Sequence, residues 1–358
     1  MHFDLSAEQR AMRDTIREIC DAHAGSARAR RYGAGEDEGR ALWSALGRAG
    51  WSGIAVSEQH GGQGLGTVEL AIACEEMGRS LAPAMLLGTA AAALLLEHAG
   101  DERQRSRWLR PLATGETRAA LGNLREDGGG LALDVDGAEL VVLARGGRAL
   151  LARVPPSSLQ PVSGIDVTRR LHRVEPREQE ALAGEALEGA LDRVEVAIAA
   201  ELVGVAQRAL DLAVEHALTR QQFGRPIGAY QAVSHRCADM LLEVESARSA
   251  VLFAAWTADH DDANLPLAAS VAKVAAAQGA WQVAASSLQV HGGIGFTWEH
   301  DCHLLLRRAA ATARLLGSME WHLERVAALR GLGARPRGED GMIAQANVAV
   351  TAVSARLS

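Results

Sequence analysis

The sequence has no surplus of positive charge. Thirty-seven Lys and Arg face 44 Asp and Glu, for a net charge of −7, and both signs are interspersed. Nucleic-acid binding needs a clustered basic face, so that class of partner is excluded. Cysteine is scarce. Cys20, Cys74, Cys237 and Cys302 lie far apart with no CxxC pair. That is the pattern of reduced, mostly buried thiols in a cytoplasmic protein, not of a disulfide scaffold. Met1 to Asp4 lack the basic start and apolar core of a secretory leader. The longest apolar run, Ala90 to Leu96, is too short to span a bilayer. Only 4% of residues are aromatic, yet 48% of the 358 are apolar. That suffices for a large core or two to three packed units. There is no internal repeat and no low-complexity tract.

Residues 1–117 read as a helical domain. Ser6 with Gln9 forms a capping box, and Met12, Ile16 and Ile19 then fall on one helix face. Trp43, Leu46 and Ala49 repeat the pattern. Trp51 to Ser57 turns into Gly61-Gly62-Gln63-Gly64-Leu65-Gly66, which reads as a helix-to-helix loop. Helices are expected over 67–78 and 84–99, and the Arg103, Arg105, Arg107, Arg110 run is a solvated face.

From Arg118 the period changes. Leu131, Leu133 and Val135 alternate with Ala132, Asp134 and Asp136, as in a half-buried strand. The apolar runs 140–143 and 149–154 flank Gly146-Gly147, a hairpin signal. Residues 118–188 are thus expected to form a small β-domain. From 189 to 358 the chain reads as helical again. Val233, Cys237, Met240, Val244, Ala247 and Val251 make a long seam suited to a bundle. Pro266 suits a first helical turn. Residues 335–341 read as a polar linker, and 342–357 as a short helix or a frayed tail.

Two stretches carry chemistry. Leu288-Gln289-Val290-His291-Gly292-Gly293-Ile294-Gly295-Phe296 joins two helices, and its glycines allow close backbone approach. Backbone N–H groups at a helix start suit a phosphate; an ordinary turn is the other reading. Upstream lies Arg220-Gln221-Gln222-Phe223-Gly224-Arg225-Pro226-Ile227, followed by Gln231-Ala232-Val233.

Together and in this order, the two stretches resemble the flavin-binding half of the acyl-CoA dehydrogenase family. The resemblance covers most of the chain and is strongest over roughly residues 190–310. It implies a mainly α fold with a small β-domain: an N-terminal helical domain, a reduced middle β-domain and a C-terminal four-helix bundle. It also implies FAD, with Arg220, Gln222, Phe223, Gln289, Gly292 and Gly293 gripping the pyrophosphate and adenosine end across a subunit boundary. The substrate would be acyl-CoA or another acyl thioester, and electron-transfer flavoprotein a possible electron acceptor.

The chain departs from that pattern in two places. Residues 121–130 stand where a T-E-x-x-x-G-S-D stretch is usual, and no W-I-T/S stretch follows. The resemblance therefore assigns the β-domain's flavin-ring contacts to no residue here, while the contacts to the adenosine end match. The second departure concerns the base. An α-C–H is a poor acid, so a carboxylate must sit close and desolvated. The family's Y-E-G-T motif supplies it, and here that place reads Leu315-Leu316-Gly317-Ser318. Gly317 and Ser318 match, so Ser318 joins the expected cofactor contacts. Leu316 replaces the glutamate, and a leucine accepts no proton.

A minority of members place the base early in the first C-terminal helix. Counting back from Gly204, that position is Val194, with Glu195 one residue on. One residue is about 100° of helix turn, so Glu195 is expected to point elsewhere; it and Glu201 read as ordinary exposed or paired glutamates. Glu320 falls where a flavin-contacting glutamine is usual. His291 reads as structural. His300, Asp301, Cys302 and His303 have no closing ligand at metal spacing elsewhere, so no metal is expected. Ser57 and Ser287 lack a neighbouring base motif.

Four readings of function remain open. The chain is a base-lacking subunit that works with a homologous, base-bearing partner in an α2β2 assembly, as in actinobacterial steroid catabolism. Or it is a homo-oligomeric dehydrogenase using Glu195, a non-catalytic protein on the same fold, or a flavin oxidase or monooxygenase.

Overall fold

A computed structural model describes residues 4–332 apart from 176 and 185. The linker and tail expected over 335–357 lie outside the described residues. Six helices come first: α1 (Ala7–His23), α2 (Ser26–Gly33), α3 (Arg40–Arg48), α4 (Thr67–Arg79), α5 (Met85–Ala99) and α6 (Glu102–Ala113). Ser6 and Gln9 do form the capping box of α1. The glycines of 61–66 form a loop that folds back on itself. A Cβ on Gly62 would lie 2.1 Å from the Val56 carbonyl oxygen, so close approach explains that glycine.

Seven strands follow: β1 (Ala119–Leu124), β2 (Gly130–Leu133), β3 (Leu140–Arg145), β4 (Arg148–Arg153), β5 (Leu159–Val162), β6 (Leu171–Val174) and β7 (Arg177–Leu182). They form one sheet in the order β5-β6-β2-β1-β3-β4-β7. Among the described residues only β1 and β3 pair in parallel. The β3–β4 hairpin closes at Gly146 and Gly147, with φ of 55° and 78°, the left-handed pair of a tight hairpin turn. In β2 the inward face differs from expectation. Ala132 is fully buried while Leu131 and Leu133 are half-buried, because β2 is an inner strand covered in part on both faces.

Three long helices carry the second half: α7 (Leu187–Thr219), α8 (Gln231–His260) and α9 (Leu265–His291). Short turns make them antiparallel neighbours, and α10 (Cys302–Thr312) completes the bundle. The α8 seam is buried at Met240, Val244, Ala247 and Val251. A further helix, α11 (Met319–Leu329), packs on α9. α4 and α7 cross at two glycines: a Cβ on Gly204 would meet the Glu75 carbonyl at 1.8 Å, and one on Gly78 that of Glu201 at 2.1 Å.

Charged side chains weld the layers. Arg308 of α10 is fully buried. It pairs with Asp166 at 2.6 Å and donates to Thr168 and to the carbonyls of Leu81 and Ala82. Arg169 pairs with Glu201 of α7, also at 2.6 Å. Asp134 accepts from the backbone N–H groups of Ala84 and Arg170. Apart from Arg169 Nε, which has Asp134 at 3.7 Å but no hydrogen bond, these buried groups satisfy one another, as their location demands. No helix among the described residues is long and apolar enough to cross a membrane.

Candidate functional site

Two surfaces can be built from the fold. The first lies at one end of the bundle. Because α7 and α9 run the same way, their C-termini emerge side by side, and His216 stacks on His291 there with ring centroids 4.4 Å apart. Four residues past His216 the helix stops at Arg220. Gln221–Gln222 and Arg225–Pro226 then form a minimal hairpin. Its turn places Phe223 and Gly224 at φ of 52° and 78°, so the motif's glycine meets a steric need. Phe223 is 91% exposed, and Arg220 and Gln222 are exposed beside it. At the end of α9, Gln289, Gly292 and Gly293 are exposed as well. Gly292 has φ of 65°, and a Cβ on either glycine would project into open space. The fold thus brings together six of the seven expected cofactor residues.

The seventh is elsewhere. Ser318 caps α11, its hydroxyl accepting from the Trp321 N–H at 3.2 Å. The adjoining Leu315 carbonyl is held by Lys273 Nζ at 2.5 Å. Sixteen residues of α9 separate Lys273 from Gln289, roughly 24 Å at 1.5 Å per residue. One cofactor molecule cannot use both surfaces of a single chain unless it spans that length.

The second surface is a cleft of about 550 Å³ between the β3–β4 turn, the start of α7 and α11. Leu316 lines it, together with Glu188, Asp192, Glu195, Trp321 and Arg325. Leu316 has φ of 58°, a costly conformation for a non-glycine residue. Its N–H donates to Asn123 Oδ1 of β1 at 2.9 Å. Glu195 corrects the sequence reading. It faces this cleft, and Val194 is the residue turned wholly into the core.

The carboxylates in the cleft are committed to Arg325. It pairs with Asp192 at 2.5 Å, Glu188 at 3.0 Å and Glu195 at 3.7 Å. Burial pushes the Asp192 carboxyl above its usual range, against the pull of Arg325. Behind the cleft, His322 is fully buried, with Nδ1 3.8 Å from Glu195. Burial first, then Lys273 and Arg325, drive its pKa down to about 2. The imidazole is therefore neutral. Glu201 is spent on Arg169. Glu320 is exposed, its carboxyl held below the usual range by hydrogen bonds from its own backbone and from Ser318.

Models for the acyl-CoA dehydrogenase N-terminal domain and C-terminal domain match residues 6–116 and 185–329. The chain is 38% identical to the acyl-CoA dehydrogenase IpdE2 of Mycobacterium tuberculosis, over 89% of this chain and 96% of the relative. The chain belongs to the acyl-CoA dehydrogenase family. Among solved structures, a chain of the Tcur3481–Tcur3483 steroid ACAD is 29% identical with a TM-score of 0.81, covering 92% of this chain and 99% of that one. A chain of the ChsE4–ChsE5 complex of Mycobacterium tuberculosis shares the fold at 22% identity and a TM-score of 0.79, covering 94% and 100%.

FAD is the cofactor of acyl-CoA dehydrogenases. The surface at the end of α7 and α9 fits its dinucleotide end on local grounds: an exposed guanidinium, exposed amides and two glycines over open space. Sequence reasoning missed Asn123, Asp192, His322, Arg325 and α11. Nothing local marks them, since their partners are distant in sequence: Asn123 meets Leu316, Asp192 meets Arg325, and His322 faces Glu195. Ser57 also has company that the sequence did not reveal. It donates to Glu97 at 2.8 Å and lies 3.0 Å from His60 Nδ1. Glu97 also accepts the Ser57 N–H, which clamps the turn.

Proposed function

We propose that this chain is one subunit of a two-chain acyl-CoA dehydrogenase, lending the dinucleotide grip to a site whose base stands on a homologous partner. The observation that carries it is Leu316. Leu316 stands where the resemblance to the family puts the base, its side chain lines the cleft, and hydrocarbon accepts no proton. The carboxylates that share its cleft are held by Arg325 rather than offered to a substrate. Ser318 lies near the Lys273 end of the α9 stretch and the glycine turn at its C-terminus, and that separation also favours contributions to a cofactor shared across a boundary. Names of similar solved structures pair two chains, Tcur3481 with Tcur3483 and ChsE4 with ChsE5. The former name supports a lipid- or steroid-type acyl thioester as substrate.

When bound, FAD would accept the hydride from the acyl β-carbon. Arg220 would meet the pyrophosphate as a charge-assisted donor. Gln222 and Gln289 would supply amide contacts, and Gly292 and Gly293 would let the backbone approach closely. Phe223 would cover the adenosine end.

Co-expression with a base-bearing homologue tests this reading. The pair should co-purify yellow and bleach on adding acyl-CoA, and the chain alone should hold little flavin. A chain that purifies alone with full FAD and bleaches with acyl-CoA would overturn it. The position of Glu195 in the cleft supports a second reading, a self-sufficient enzyme. Loss of that bleaching in Glu195→Gln would select it.

A further inference from the structure

Beneath the glycine turn, three donors converge that the flavin reading does not use. His291, His300 and Cys302 each present a ligand atom within 4.8 Å of the others. His291 and Cys302 are buried and His300 half-buried. Cys302 Sγ is 3.2 Å from His291 Nδ1, and the two imidazole centroids are 4.4 Å apart. The sequence hides this grouping, because His291 ends α9 while Cys302 begins α10, and the glycine turn brings them face to face.

We infer that His291, His300 and Cys302 form a binding site for a borderline-soft d¹⁰ cation of the zinc class. Two imidazoles and one thiolate match zinc and exclude the oxygen-seeking calcium and magnesium. His291 Nδ1 lies 2.7 Å from the Ser287 carbonyl oxygen as well as 3.2 Å from Cys302 Sγ. The nitrogen that faces the thiol is the one that would take the metal, its proton passing to Nε2 and the carbonyl contact being released. His300 is held by its backbone, since Arg30 donates to the His300 carbonyl at 3.0 Å and to Asp301 at 3.2 Å. His300 Nδ1 accepts from the Cys302 N–H at 3.2 Å. Metal capture would either turn that nitrogen to the ion or release this contact and bind through Nε2. The Cys302 thiol proton leaves to solvent as the sulfur–metal bond forms, so charge and atoms balance. Three protein ligands leave a fourth position for water. An ion here would staple the end of α9 to the start of α10 and stiffen the turn between them.

The test is titration of the full, chelator-stripped chain with zinc(II) and cobalt(II), with metal counted by mass spectrometry. One ion per chain is expected, and cobalt should show a thiolate charge-transfer band in the near ultraviolet. Cys302→Ser should abolish the band, and His300→Ala should weaken binding by roughly tenfold or more. Cys237→Ser, a half-buried thiol on α8, should alter neither. His300 is only half-buried, so its variant keeps the test decisive if Cys302→Ser fails to fold. Absence of stoichiometric binding, a band that survives Cys302→Ser, or unchanged affinity in His300→Ala would each overturn the assignment. These readouts involve no flavin and no acyl-CoA, so they stand or fall apart from the proposed activity.

Discussion

The rings of His216 and His291 lie stacked, 4.4 Å apart and 27° from parallel, at the paired ends of α7 and α9. The contact sets the Arg220 hairpin next to the glycine turn, although some seventy residues separate the two in sequence. Arg220→Gln should keep the fold and lose flavin. Removing one charge-assisted hydrogen bond costs about 1.5–3 kcal/mol, or roughly ten- to a hundredfold in Kd. Flavin fluorescence titration of the co-purified pair measures it, and unchanged affinity would count against the dinucleotide surface.

Glu195→Gln separates the two readings of the cleft. In a pair whose partner supplies the base, acyl-CoA bleaching should proceed at nearly the unmodified rate. The change would instead surface in stability, since a contact to Arg325 is weakened. A rate fall of about a hundredfold or more, the scale of lost general-base catalysis, would make Glu195 the base.

The sequence was most informative where local rules act. The capping box of α1, the Gly146–Gly147 hairpin, the α8 seam and the Pro266 start all follow from nearest-neighbour geometry, and all are present. The resemblance also picked out the Arg220 hairpin and the glycine turn. Long-range electrostatics were not legible. Arg308, Asp166, Arg169 and Glu201 look like surface residues in a one-dimensional string, yet form the buried weld between layers. Glu195 shows the limit of counting register: one helical step decides between core and cleft, and the cleft wall sets which step matters.

Arg308→Met tests the weld. It would leave Asp166 buried without its 2.6 Å partner, and breaking a buried pair this way costs about 3–5 kcal/mol. The urea midpoint should fall with little change in slope. A loss below about 1 kcal/mol would mean that water replaces the guanidinium.

His322 predicts an acid sensitivity with a definite sign. In the unfolded chain its pKa is near 6.5, and in the folded protein it is about 2. Below pH 6.5 the unfolded state therefore binds the extra proton. Stability should fall with decreasing pH by up to about 1.4 kcal/mol per unit from this group. His322→Leu should flatten the pH dependence of the urea midpoint between about pH 6.5 and 4. An unchanged slope would refute the assignment.

Gly204→Ala should be among the most damaging small substitutions. Its methyl would sit 1.8 Å from the Glu75 carbonyl, so α4 must move off α7. Overpacking of this kind typically costs 1–3 kcal/mol. Gly293→Ala, over open space, should leave thermal stability nearly unchanged, and it serves as the control in the same melting assay.

The bend at Leu316 has a consequence for how readily this position changes its chemistry. Its left-handed main chain is secured from outside, by the Asn123 amide on one side and the Lys273 grip on the Leu315 carbonyl on the other. Nothing in that support depends on the side chain being displayed. The mounting and the tool are separable, so hydrocarbon and carboxylate can be exchanged at this point without rebuilding the bracket beneath.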